Sequence, residues 1–393
     1  MDKPSTSRRV PTLILALLPL VLLGALVVVF FATDPTRPLK TAFPPIEDLS
    51  IPQVVLEPGL IRLRVVNNGP DPVTIAQALV DEAYWHFNVE PAATIDRLGR
   101  ATVEIMFPWS KDDAHAVTLI SSNGVTFETN IEVAVASPKP TAKLFGLFAL
   151  LGVYVGVIPV ALGLLWLPAL RRCSQKWMDC FLFLTIGLLV FLGFDALEEA
   201  METIELVPAV YQGTGLLVIG VAGSFVLLTA LSNTMARGGN SNAATLSTMV
   251  AVGIGLHNLA EGLAIGAAYA LGQIALGSML VLGFMLHNVT EGLAIVAPLA
   301  RSGARFGQLV GFGAIAGLPT ILGAWIGGFT YSPVWALLFL AIGAGAIFQV
   351  AWQIVSQLTR QRGSMEAVLD LSNAGGLLAG FGVMYLTSVL VTL

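Results

Sequence analysis

Eight long apolar stretches behind residue 143 dominate the chain. They lie near 144–169, 178–198, 207–232, 244–270, 273–299, 306–330, 333–357 and 371–393. Each approaches or exceeds the roughly 18–20 apolar residues that cross a bilayer as helix. A further charge-free run extends from about Thr12 to Ala32, behind Lys3, Arg8 and Arg9. It reads as an anchor helix or a signal peptide. The residues at Phe30-Phe31-Ala32 make a poor small-x-small cleavage site, which favours an uncleaved anchor. Nine helices are expected in all.

Between anchor and bundle the pattern changes from continuous apolarity to alternation. A Pro-rich linker (Asp34-Pro35-Thr36-Arg37-Pro38, then Pro44-Pro45) opens the stretch. Alternating strands follow at Ile61–Val66, Thr102–Phe107, Ala116–Ile120 and Val125–Val133, separated by turn signals at Asn67-Asn68-Gly69-Pro70 and Ser121-Ser122-Asn123-Gly124. Short strands over such a length suit a small β-sandwich, immunoglobulin-like or cupredoxin-like. A blue-copper centre is excluded because this stretch has no cysteine. His86, His115 and Met106 leave only a weaker metal-capture reading, with ordinary surface or core histidines the simpler one. Tyr84-Trp85-His86-Phe87 reads as core. The domains are then 1–32 (cytoplasmic tip and anchor), 33–140 (β-sandwich) and 141–393 (helix bundle).

Composition agrees with a polytopic, mainly α membrane protein: 11% of residues are charged and mean hydropathy is +0.81. A net charge of −5 argues against a nucleic-acid partner. The two cysteines, Cys173 and Cys180, fit no metal or disulfide pattern. Basic residues then orient the chain, because they accumulate in cytoplasmic loops. With the N-terminus inside, Lys3, Arg8, Arg9, Arg171, Arg172, Lys176, Arg237, Arg301, Arg305, Arg360 and Arg362 are all cytoplasmic. The short outer loops near 199–206, 270–273 and 330–333 carry no Lys or Arg. The β-sandwich is therefore expected outside a plasma membrane, with Leu393 also outside.

The chemistry is concentrated in one motif written twice: His257-Asn258-Leu259-Ala260-Glu261-Gly262 and His287-Asn288-Val289-Thr290-Glu291-Gly292. Positions i and i+4 share a helix face, so each copy presents an imidazole above a carboxylate. Both copies sit mid-segment on consecutive antiparallel helices, at the depth where transporters hold substrate. Ionisable groups there line a pathway or pair with something. Two nitrogens and two carboxylates form a borderline-to-hard ligand set, suited to Zn²⁺, Fe²⁺, Mn²⁺ or Co²⁺ and poor for Cu⁺. Asn258 and Asn288 lie about 100° around the helix, placed for a neighbouring second metal position. Gly253, Gly262, Gly266, Gly283 and Gly292 permit close helix approach. Pro298 and Pro319 mark breaks where freed carbonyls can line a cavity.

The doubled His-Asn-x-x-Glu-Gly motif in an eight-helix bundle resembles the fourth and fifth transmembrane helices of the ZIP family of divalent metal ion transporters. The resemblance covers about 143–393 and leaves the β-domain unexplained. It implies an eight-helix ZIP-like fold, zinc or iron among its substrates, and transport into the cytoplasm. His257, Glu261, His287 and Glu291 would be primary ligands, with Asn258 and Asn288 toward a second position. Two departures matter. Where the family often has His-x-x-Pro-Glu-Ala in its second helix, this chain has Asp195-Ala196-Leu197-Glu198-Glu199-Ala200. Asp195 in the histidine's place hardens the ligand set toward iron, manganese or cobalt. The sixth helix, at Gly317-Leu318-Pro319-Thr320, lacks the carboxylate of many relatives, which weakens a second metal position. In the seventh helix Gln349 and Gln353 stand where acidic or histidine residues are common.

Glu198, Glu199, Glu202 and Glu205 with Asp195 form an acidic group near the outer end of the second helix, placed to concentrate cations at an entrance. The connection 233–243 has no histidine, so metal regulation through that loop is not expected. The expected partners are divalent metal ions and the lipid bilayer, with a homodimer allowed; no cofactor and no enzymatic activity are expected. Three rival readings stay open: a structural hydrogen-bond network, an intramembrane metal-dependent hydrolase, and a metal sensor or receptor with a passive bundle.

Overall fold

The computed structural model describes residues 12–33, 46–137, 139–235, 243–271, 273–302, 304–330, 332–364 and 370–392. The N-terminal segment with Lys3, Arg8 and Arg9, the Pro-rich linker and Arg237 lie outside the described residues. The chain divides into two compact units, Met1–Glu47 and Asp48–Leu393. In the first, α1 (Thr12–Thr33) is a 22-residue helix with no charged side chain. At 1.5 Å per residue it is about 33 Å long.

The β-domain is built from two antiparallel sheets. One has the order β1 (Leu49–Glu57), β2 (Leu60–Asn67), β7 (Arg100–Ile105), β5 (Phe87–Glu90). The other runs β4 (Ala83–Tyr84), β3 (Val73–Val80), β8 (His115–Ser121), β9 (Thr126–Ile131), with the two-residue β6 (Thr94–Ile95) paired to β3. Alternation places Ile61, Leu63 and Val65 of β2, Val103 and Ile105 of β7, and Val117 and Leu119 of β8 in a shared dry core. The first turn is pinned by Asn67. Its buried amide donates to the Asp71 and Ile95 carbonyls while its oxygen accepts from the Gly69 N–H. On one outer face Arg62 pairs with Glu57 (2.8 Å) and Glu104 (2.9 Å), and the Arg62 hydrogen bond holds the Glu57 carboxyl below its usual range.

Four strands stand where the alternation places them, within two residues at each end. The short β4, β5 and β6 and the longer β1 and β3 lie outside that expectation, and β1 and β3 have a visible reason. Each carries a register shift, at Ser50/Gln53 beside Pro52 and at Ile75/Gln77, and such bulges break the period of two on which alternation depends. The expectation that Tyr84-Trp85-His86-Phe87 is core needs correction. Trp85 and Phe87 pack against the core, with Trp85 edge-on to Phe107, but Tyr84 and His86 are exposed.

Seven helices among the described residues are long and apolar enough to cross a membrane. The first span, Ala142–Leu170, is interrupted. α2 (Ala142–Gly152) passes through one π-helical turn (Val153–Val157) into α3 (Ile158–Leu164) and the short α4 (Leu167–Leu170). Then come α5 (Gln175–Leu206), α6 (Gly213–Met235), α7 (Ala243–Ala270), α8 (Ile274–Val296), α9 (Phe306–Thr330) and α10 (Pro333–Arg362). The eighth predicted segment is the 22-residue α11 (Leu371–Thr392), packed along α5.

Segment 199–206 is not the outer loop expected. α5 continues through Leu206, burying Ala200 and Thr203. Hydropathy falls where the glutamates begin, but glutamate is a good helix former, so charge marks where apolarity ends and not where the helix ends. Pro319 does not break α9, which runs through it. Pro298 does mark a boundary, in a 3₁₀ turn (Ala297–Leu299) that closes α8.

The helices associate in two sets. α9 lies along α7, and α3 lies along α8; α10 and α11 lie on α5, and α6 on α10. The α7–α10 contact is the broadest joint between the sets. The motif glycines explain part of this packing. A Cβ on Gly262 would strike the Thr320 carbonyl of α9, and one on Gly292 would strike the Val160 carbonyl of α3. Glycine after each motif glutamate thus lets a neighbouring backbone close over the site.

Candidate metal centre

His257 and Glu261 stand one turn apart at mid-length of α7, and His287 and Glu291 do the same on α8. Antiparallel packing of the two helices turns these faces together. One ligand atom from each of the four side chains lies within 4.8 Å of all the others, and none of the four side chains' residues is more than 7% exposed. It is the one such group of His, Cys, Asp and Glu among the described residues.

The two carboxylates have different surroundings. Glu261 Oε1 is 2.5 Å from His287 Nε2 and 3.2 Å from His257 Nε2, and Glu261 Oε2 accepts from the Asn288 amide at 3.0 Å. Neither oxygen of Glu291 has a hydrogen-bond partner among protein atoms. The Asn258 and Asn288 side-chain oxygens and His257 Nδ1 also make no hydrogen bond, and His257 Nε2 has only its 3.2 Å contact with Glu261. A buried polar group without a partner costs about 1–3 kcal/mol and a charged one more, and such groups call for an ion or water to satisfy them. The donor set here, imidazole nitrogen with carboxylate and amide oxygen, matches a borderline-to-hard divalent cation.

The asparagines are held from behind. Asn288 Nδ2 also donates to the Val155 carbonyl (3.0 Å) in the π-helical turn, and Asn258 Nδ2 donates to the Ala316 carbonyl (3.1 Å) in the turn before Pro319. Both amides therefore have their nitrogens engaged by backbone and their oxygens free. The sequence reading, which gave both asparagines to a second metal position, missed that Asn288 is first a support for Glu261. It also missed the Val155 and Ala316 carbonyls, since a backbone acceptor leaves no mark in residue identity. Only the Gly-Leu-Pro stretch at 317–319 hinted at unusual backbone there.

Asp195 is not among the four converging groups. It lies on α5 within electrostatic reach of His287 and His257, and Glu199, one turn on, is within reach of Asp195 and Glu261. Glu198 and Glu202 are exposed. Gln349 and Gln353 stand apart from the cluster and bond each other (3.0 Å), with Gln353 donating to Ser232 on α6. In the β-domain, His115 Nδ1 is 2.7 Å from Asp81 and its ring stacks edge-on with Phe107, while His86 and Met106 are exposed. These three were not brought into a metal-binding group. Burial works against ionisation of Asp81, but hydrogen bonds from His115 and the Ala116 N–H outweigh it and hold this carboxyl below its usual range. Both cysteines are free thiols.

No protein-family model matches the chain, and no curated protein does. Among solved structures, the archaellum periplasmic stator protein FlaG from Sulfolobus acidocaldarius is similar over 22% of this chain and 99% of its own. The identity is 13% and the TM-score 0.20. The chain is a multi-pass membrane protein with an intramembrane His/Glu cluster.

Proposed function

We propose that this chain is a transporter of divalent transition-metal ions of the ZIP type, and that His257, Glu261, His287 and Glu291 hold the ion during passage. The observation that carries this reading is the convergence of four buried ligands, two from each of two apolar helices, with Glu291 left unsatisfied by protein. A purely structural network would be expected to satisfy its own members. Asp195 and Glu199 assist from α5, and Glu198 and Glu202 attract cations at the entrance. The oxygen-rich set favours iron, manganese, cobalt or zinc over copper.

In this proposal the basic ends of the helices (Arg171, Arg172, Arg301, Arg360) are cytoplasmic. The β-domain and C-terminus lie outside, and the ion moves inward. The bundle is eight-helical, α11 being the eighth member, and the protein is no enzyme. The test is uptake of Zn²⁺, Fe²⁺, Mn²⁺ and Co²⁺ by sealed proteoliposomes, comparing wild type with Glu261→Ala/Glu291→Ala. Saturable uptake lost in the double variant supports the reading and ranks the metals. Folded protein that moves none of the four ions overturns it.

A further inference from the structure

The proposed transport site needs a way out, and the walls of two cavities outline one. Beside His287 and Glu291 is a space of about 10 Å³, walled by Leu188, Leu189 and Leu192 of α5, Ala294 of α8 and Met384 of α11. That is room for about one water molecule. Toward the Arg301 end of the bundle lies a larger cavity of about 350 Å³, bounded by α5 and the end of α8 and also by Leu246 of α7 and Ile354 and Leu358 of α10. Met178, Asp179 and Leu182 of α5 face Ala297, Pro298 and Arg301 at the end of α8.

The linings form one stripe on each helix. Glu291 and Ala294 on α8, then Ala297 or Pro298 in the 3₁₀ turn and Arg301 just beyond it, recur at three- and four-residue steps. Leu192, Leu189 or Leu188, Leu182 and Asp179 descend the matching face of α5. From Ala294 to Ala297 is about 5 Å along the axis, and from Leu188 to Leu182 about 9 Å. Only this short apolar section separates cluster from cavity. Its members are shut off from solvent: Leu188, Leu189, Leu192, Ala294 and Met384 are each at most 4% exposed.

We infer that the ion leaves the cluster between α5 and α8, through a plug of Leu188, Leu189 and Ala294 that is closed in this conformation, into the cavity bounded by Asp179 and Arg301. The inference rests on the transport reading. An apolar constriction next to a charged site blocks a hydrated ion until the helices part, so the plug is the inner gate. Asp179 is buried below it, bonded to Gln175 (2.8 Å) and paired with Arg362. The floor of the route is thereby charge-balanced and does not trap the departing cation.

The test places a thiol in the cavity wall, next to the plug but outside the cluster. Full-length Ala297→Cys and wild type, which carries Cys173 and Cys180, are both treated with a membrane-permeant benzyl maleimide and compared for Zn²⁺ uptake in proteoliposomes. Labelled Ala297→Cys should lose uptake while labelled wild type keeps it. Zn²⁺ binding by the labelled variant in detergent should be unchanged, since the cluster itself is untouched. Should Ala297→Cys not fold, Ser302→Cys at the wider end of the same cavity is the conservative replacement. Undiminished uptake by fully labelled, folded protein overturns the route. Absence of uptake in unlabelled wild type overturns the transport reading, a separable result.

Discussion

In metal-free protein the two motif glutamates, equivalent in sequence, should respond oppositely to the same substitution. Glu261 is approached by His257, His287 and the Asn288 amide, whereas Glu291 has no protein hydrogen bond. Glu261→Gln removes the charge that organises three neighbours, putting a neutral amide beside the two imidazoles that now face a carboxylate. Truncating a buried, paired charge costs about 3–5 kcal/mol; because glutamine keeps the shape and one carbonyl, about 3 kcal/mol is expected. Glu291→Gln removes a carboxylate with no cationic partner and only the Asn258 amide nearby, and should cost about 0 kcal/mol or stabilise. The assay is thermal unfolding of detergent-solubilised protein with a chelator and then with Zn²⁺. In chelator, the apparent midpoint should fall by several degrees for Glu261→Gln and hold or rise for Glu291→Gln. Ligand at about 100 times its dissociation constant stabilises by about 2.7 kcal/mol, so wild type should gain several degrees with zinc and both variants much less. Equal midpoints for the two variants in chelator, or a full zinc-induced gain in Glu291→Gln, would refute the reasoning.

Other consequences follow from the same geometry. Asn288→Ala, which removes the amide that orients Glu261 from Val155, should weaken zinc binding by about 10–100-fold; calorimetry showing unchanged affinity would remove Asn288 from the site's support. Gly292→Ala drives a methyl group into the Val160 carbonyl and should destabilise the bundle by about 1–3 kcal/mol, read as a lower melting midpoint with or without metal. Asn67→Ala leaves the Gly69 N–H and the Ile95 and Asp71 carbonyls without their side-chain partner. It should cost the β-domain about 1–3 kcal/mol, visible in the fluorescence of Trp85 and Trp109 during unfolding. Because Asp81 ionises more readily folded than unfolded, its contribution is complete above its unfolded pKa of about 4 and disappears as pH falls through the lower folded value. Asp81→Asn should therefore flatten the acid side of the β-domain's stability curve, and a variant with the wild-type acid slope would show that the His115 contact is not responsible.

What the sequence made legible was governed by period and by charge. Apolar runs located the bundle helices to within six residues at each end, except where Glu198–Glu205 end the run but not the helix. Alternation located β2, β7, β8 and β9; it failed at β1 and β3, whose bulges shift the inward face partway along, and at β4, β5 and β6, which are too short to show a period. At the site, His257, Glu261, His287 and Glu291 were recognisable because i, i+4 spacing needs only a helix to bring each pair onto one face. The convergence of the two faces needed the tertiary structure. So did the inequality of the glutamates, which comes from both imidazoles and the Asn288 amide turning to Glu261, the amide being braced by the Val155 carbonyl. No residue pattern encodes the π-helical turn at 153–157 that presents that carbonyl. Asp195 illustrates the converse: an intramembrane carboxylate is conspicuous in sequence, yet its side chain stays outside the converging four.

X-ray absorption at the zinc edge tests most directly whether an ion sits between α7 and α8. Zinc-loaded wild type should give a first shell of nitrogen and oxygen with imidazole scattering and no sulfur. His257→Ala should lose part of the imidazole signal, and Glu261→Ala/Glu291→Ala should no longer hold the metal. A sulfur-containing shell, or an imidazole signal unchanged in a His257→Ala/His287→Ala variant, would place the metal elsewhere and contradict the account.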